Sequence, residues 1–183
     1  MDIVITGSAG LDGSRKIYQH KEYRRKLLMK YSERFFGVFE SGTVSAHEET
    51  AREAQRVLEE CFRKAREAGL AADGGDGGIL AALWRVLKAR RSGGFYDLRA
   101  IPVLQQTVEI CEMFELNPYR LYAPSCRVWL TEQPGEILRD AAGAGVPSAV
   151  IGYTGGGVAI WRTDTNVPSS LRRPERDEMP DLN

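Results

Sequence analysis

The sequence predicts an α/β (α+β) fold, a sandwich in which helices pack on a mixed β-sheet. Three observations predict it: short apolar or β-branched runs of strand length alternate with longer runs of helical periodicity; glycine or proline marks nearly every change between them; and the last two strand-like runs are joined by a glycine turn. The chain has 183 residues, 43% of them hydrophobic and 27% charged, which fits one domain. A chain of this size removes about 70% of its unfolded surface from water, so no disulfide or metal staple is required.

The first strand is read at Ile3-Val4-Ile5-Thr6 and feeds the glycine run Gly7-Ser8-Ala9-Gly10-Leu11-Asp12-Gly13. From Ser14 to about Phe36 the apolar residues Ile17, Leu27, Leu28, Tyr31 and Phe35 predict a helix whose polar face is basic. A break at 37–42 precedes Ser45-Ala46-His47-Glu48, a capping-box pattern that opens a helix running to about Ala68, where Gly69 ends it. Residues 72–78 form a second glycine-rich loop, and Ile79, Leu80, Leu83, Val86 and Leu87 recur at helical spacing until Ser92-Gly93-Gly94. A short extended piece over 95–102 leads to a helix over 103–116, closed by Asn117-Pro118. Arg127-Val128-Trp129-Leu130-Thr131 reads as a strand, and Pro134 opens a helix at its permitted first turn that ends near Ala144. Runs 148–152 and 158–161 read as strands of a hairpin turned by Tyr153-Thr154-Gly155-Gly156-Gly157. Residues 1–164 are thus expected as one domain, and 165–183, rich in proline, serine and charge, as a mobile polar tail.

The 25 basic and 25 acidic residues balance, so no global field draws the molecule to nucleic acid or an anionic bilayer. No stretch approaches the ~20 apolar residues of a membrane span and no signal segment is evident, so a cytoplasmic location is expected. Cys61, Cys111 and Cys126 lack the paired spacing of zinc or dithiol sites, and His20 and His47 have no ligand or nucleophile partner nearby in sequence. Cys126 stands beside Arg127, which could lower its pKa, but a cysteine entering a strand reads better as a small buried apolar residue. No catalytic residue and no metal site is therefore expected. The basic helix from Ser14 carries eight Lys or Arg with no aromatic stripe between them, the pattern of a solvated or interface face.

Two loops are the candidate ligand sites. In Asp73-Gly74-Gly75-Asp76-Gly77-Gly78, free N–H groups at the start of the following helix could face an anion, with the glycines permitting close approach. The carboxylates of Asp73 and Asp76 would repel a phosphate, so they could instead hold Mg²⁺, orient a polar substrate, or, for Asp76, cap the helix in a simple turn. Gly7, Gly10 and Gly13 lie between a strand and a helix, but their spacing is not that of dinucleotide folds; a tight turn with close helix packing is the simpler reading.

The order of these motifs resembles the C-terminal domain of the aminoimidazole ribonucleotide synthase (PurM-like) superfamily, which includes the hydrogenase maturation factor, selenophosphate synthetase and thiamine-monophosphate kinase. Asp2-Ile3-Val4-Ile5-Thr6-Gly7-Ser8-Ala9-Gly10 looks like the family's domain-opening G-D-x-I-x-x-(T/S)-G-x-x-G. Asp73 to Ile79 looks like its D-x-(S/T)-x-G-G-L loop. Ile101-Pro102-Val103 with Cys111-Glu112-Met113-Phe114-Glu115-Leu116-Asn117-Pro118 resembles I-P-V…C-E-x-(L/F)-G-L-D-P, most like the hydrogenase factor and the ribonucleotide synthase, and Val150-Ile151-Gly152 opens an element similar to the closing one.

The resemblance implies a chain without the family's N-terminal half, which binds ATP and Mg²⁺ and forms its dimer. It departs from the pattern at Ala72, where the family has His or Arg, at Gly75, where it has Ser or Thr, and at Ala123-Pro124-Ser125-Cys126. What it implies is a non-catalytic module that binds a small anionic or phosphorylated metabolite, or a partner protein, through Gly7, Gly10, Gly13, Asp73, Asp76, Gly77 and Gly78. It would need no cofactor of its own. The alternative is half of a split enzyme, in which a separate chain supplies the ATP- and Mg²⁺-binding half; the chain could equally have been cut from a longer enzyme. A homo-oligomer remains possible, since loss of the N-terminal interface leaves strand edges and the basic helix to form another.

Overall fold

A computed structural model describes residues 1–40, 48–167, 169–174 and 177–182. The strands are β1 (Asp2–Thr6), β2 (Ala71–Gly74), β3 (Gly94–Tyr96), β4 (Ala123–Thr131), β5 (Ser148–Thr154), β6 (Ile160–Arg162) and β7 (Ser169–Ser170). The helices are α1 (Leu11–Gln19), α2 (Lys21–Leu28), α3 (Glu48–Glu67), α4 (Gly78–Ala89), α5 (Gln105–Met113) and α6 (Pro134–Gly143), with 3₁₀ turns at Glu33–Phe39 and Leu98–Ala100. The strands form one sheet in the order β2-β4-β1-β5-β3-β6-β7. All neighbours are antiparallel except β3 and β6, so the sheet is mixed, as the sequence predicts.

Alternation along β1 builds two layers, because successive side chains leave a strand on opposite faces. Ile3 and Ile5 join Val128, Leu130 and Ile151 against Ile79, Leu83, Val86 and Leu87 of α4. Val4 points the other way, beside its cross-strand partner Trp129, into a layer made by Leu58 and Phe62 of α3 and Ala141 of α6. The Trp129 ring meets Phe62 edge-on at 5.2 Å, and its Nε1–H donates to Thr6 Oγ1 at 2.9 Å inside that layer. A third cluster gathers Ile17, Tyr18, Leu27, Phe36, Phe39, Ile110 and Leu121.

Four expectations are corrected. The helix expected over 14–36 is broken at His20, which has an extended backbone (φ −76°, ψ 125°); the bend lets Ile17 and Tyr18 of α1 and Leu27 of α2 enter one cluster. The loop expected from 72 starts as β2, because residues 71–73 pair with residues 127–129 of β4. Asp76 does not cap α4: the cap position is Gly77, at φ 82°, and Asp76 is exposed. The expected terminal hairpin is absent, because β3 lies between β5 and β6. Gly152 makes this possible, since a Cβ there would fall on the carbonyl of Phe95. The capping-box residues Ser45 to His47 lie outside the described residues. Residues 169–170 of the polar tail pair with β6, and Met179 packs on the third cluster.

Candidate functional site

Both glycine loops flank the start of β4, and most of their glycines are there for contact. A Cβ on Gly7 would strike the Ser125 carbonyl, one on Gly10 would lie 2.7 Å from the Pro118 carbonyl oxygen, and one on Gly13 2.6 Å from Leu121 Cγ. In the second loop a Cβ on Gly74 would meet the Ala123 carbonyl oxygen at 2.9 Å and one on Gly78 the Tyr119 carbonyl oxygen at 2.5 Å. The glycines thus let segment 118–126 run against both loops, the close-packing reading of their spacing.

The polar groups of the second loop are engaged by the protein itself. Asp73 accepts from the Gly75 N–H at 3.1 Å and pairs with Arg66 at 2.9 Å. Arg85 donates to the carbonyls of Asp73 and Asp76. The Gly77 N–H, which the sequence offers to an anion, donates to Asp177 Oδ2 at 2.9 Å. The neighbouring Glu178 accepts from the Asn117 N–H and pairs with Arg120 at 3.3 Å. A carboxylate of the same chain thus fills the place where an anion would meet the start of α4.

The first loop opens on a cleft of about 440 Å³. Thr6, Gly7 and Ser8 form one wall, with Arg15 of α1, Leu58 and Glu59 of α3, Ser125 and Arg127 of β4, and 144–147 around it. The Nε atoms of Arg15 and Arg127 are both buried and have no hydrogen-bond partner. That is unusual, since buried polar groups are normally paired. Arg127 is held by Glu59, whose two carboxylate oxygens both accept from Nη2 at 2.7 Å, and its guanidinium lies 4.2 Å over the Phe62 ring. Ser125 gives its N–H (2.9 Å) and its hydroxyl (2.6 Å) to Asp12. Gln55, Glu59 and Arg127 also line a larger open groove of about 800 Å³ that reaches Asp73 and the arginines of α3.

Of the sequence-predicted residues, the cleft takes in Gly7 only. Gly10 and Gly13 lie behind it, and Asp73, Asp76, Gly77 and Gly78 stand on the far side of β4. Arg15, Glu59 and Arg127 escape sequence reasoning. The signal for Arg127 is the single charge in the β4 segment; Arg15 is one cation among eight on its segment. No cluster of three or more metal-ligating side chains occurs among the described residues. Burial holds both interior thiols protonated, Cys111 at about 12 and Cys126 higher than the ordinary thiol range, which leaves neither as a nucleophile.

No protein-family model and no curated protein matches the sequence. Solved structures do match. The crystal structure of E. coli HypE, a hydrogenase maturation protein, aligns with 100% of this chain and 52% of its own, with a TM-score of 0.65 and 15% identity. The fold is that of HypE over half its length. A second HypE structure agrees, at 100% and 55% coverage, TM-score 0.63 and 17% identity. T. maritima PurL complexed with ATP aligns with 92% of this chain and 24% of its own, at TM-score 0.50 and 17% identity. The motif resemblance to the PurM-like superfamily is thereby shown as a likeness of fold, and this chain spans about half the length of the HypE chains it matches. Among the described residues no helix is long and apolar enough to cross a membrane.

Proposed function

We propose that this chain is a HypE-like half-module that binds a small anionic metabolite in the cleft at Gly7 and Ser8, and that it is not catalytic alone. The observation that carries this reading is that two guanidiniums, those of Arg15 and Arg127, line one cleft. Guanidiniums carry a charge that never titrates away and several N–H donors in a fixed fork, which suits an oxyanion. The Asp73–Gly78 loop joins the site only if Asp177 leaves Gly77.

The test is thermal unfolding in the presence of a panel of small oxyanions, since a ligand bound to the native state alone raises Tm. The reading requires at least one oxyanion to raise Tm in the wild type and to lose that effect in Arg15→Gln. A panel without any shift overturns it.

A second reading rests on the share of length: HypE and PurL have about half or more of their chains beyond the matched part, and a HypE and the PurL were solved with ATP. In that reading a separate chain supplies the ATP- and Mg²⁺-binding half, and Asp73 and Asp76 position substrate or metal in the assembled enzyme. It requires a purified complex with Mg²⁺-dependent ATPase activity that falls in Asp76→Ala; a complex without that activity counts against it.

A further inference from the structure

Resting on the reading of the cleft as an anion site, we infer that its ligand is a small organic carboxylate with an apolar body, a monoanion, and not a phosphomonoester. Among the described residues, three charged side chains line the cleft: Arg15, Arg127 and Glu59. Glu59 belongs to the site because both its oxygens lie 2.7 Å from Arg127 Nη2, a charge-assisted contact that a ligand does not gain by breaking. Two positive charges and one negative leave a single positive charge to be matched. The Arg127 side chain is only 17% exposed, so a mismatch there is poorly relieved by water.

A carboxylate completes the balance. A phosphomonoester, close to a dianion above its second pKa of about 6, leaves one negative charge uncompensated in the cleft. Asp12 strengthens the bias, because its carboxylate sits behind the wall residue Ser125 and holds both of that residue's donors. The rest of the lining argues for the apolar body. Val38, Leu58, Leu104 and Val146 supply walls that a bare inorganic ion would leave wet.

Benzoate and phenyl phosphate share a ring and differ in head-group charge, so they test the inference directly. Binding of each to the full chain at about pH 8 is measured by calorimetry and by Tm shift, for the wild type, Arg15→Gln and Glu59→Gln. Glu59 is half exposed, so its neutral isostere keeps the fold, and the Tm without ligand checks this. The expected result is benzoate at least about tenfold tighter than phenyl phosphate in the wild type, both lost in Arg15→Gln, and the preference reduced by about tenfold or reversed in Glu59→Gln, where the cleft gains one positive charge. Phenyl phosphate binding tighter to the wild type, or a preference that Glu59→Gln leaves unchanged, overturns the carboxylate assignment while the anion site stands. Failure of both probes, with no shift from the wider oxyanion panel, overturns the anion site itself; failure of both while only oxyanions other than carboxylates bind overturns the carboxylate assignment alone.

Discussion

Gly78→Ala and Gly69→Ala together separate backbone conformation from close contact. Both glycines have φ +69°, so replacing either one places an alanine in the left-handed region at a cost of about 1–2 kcal/mol. They differ in surroundings. A Cβ on Gly69 meets nothing within 4 Å, whereas one on Gly78 lies 2.5 Å from the Tyr119 carbonyl oxygen and 2.7 Å from the Arg120 carbonyl carbon. These are backbone atoms of a segment that also receives the Leu80 N–H at the Tyr119 carbonyl, so relief requires moving the segment away from α4. Overpacking of this kind adds about 1–3 kcal/mol. Gly69→Ala is therefore expected to cost about 1–2 kcal/mol, and Gly78→Ala about 2–5 kcal/mol. Urea unfolding followed by tryptophan fluorescence gives both values, and Trp84 and Trp129 lie in or against the packed layers. Equal losses would refute the argument, since they would mean that the second loop does not press on segment 119–120.

Three further outcomes follow from the same geometry. Hydrogen bonds from Arg162 (2.6 and 2.7 Å), with the Leu98 N–H in addition, hold the Asp164 carboxyl at about 2, below its ordinary 3.8, against the opposing effect of burial. Its contribution is present above pH 4 and lost as pH falls towards 2, so the stability gap between wild type and Asp164→Asn, on the order of 1 kcal/mol after solvent screening, should close over that window in urea titrations. Asp177→Ala removes the acceptor of the Gly77 and Tyr122 N–H groups and should cost about 1–2 kcal/mol with faster exchange of those two amides; unchanged exchange would contradict the contact. A chromogenic thiol reagent should titrate Cys61 alone in the native protein and all three cysteines after denaturation, because Cys111 and Cys126 are buried.

Element type was largely legible because the signals are local. Ile3-Val4-Ile5 alternates between two buried layers, and Gly69 ends α3 at a positive φ, as their sequences imply. Pairing was less legible. Nothing in Phe95 or its neighbours states that this short strand separates β5 from β6; that is settled by the close approach at Gly152, a contact between residues far apart in the chain. The site was legible only at Gly7. Arg15 sits among cations that look alike in sequence, and what distinguishes it, a buried Nε–H without an acceptor, is a property of the packed molecule. The tail shows the same limit, since proline, serine and charge do not reveal that Asp177 and Glu178 meet amides of Gly77, Tyr122 and Asn117.

The placement of β1 inside the sheet, between β4 and β5, has a kinetic consequence. Its two neighbours are Ala123–Thr131 and Ser148–Thr154, so the strand at residues 2–6 has no sheet partner until more than a hundred further residues have been made. During synthesis an apolar strand with two open edges must wait, while α3 and α4 can form early on local contacts. The span between synthesis of β1 and arrival of β4 is then the interval in which this chain is most exposed to aggregation and most dependent on chaperones.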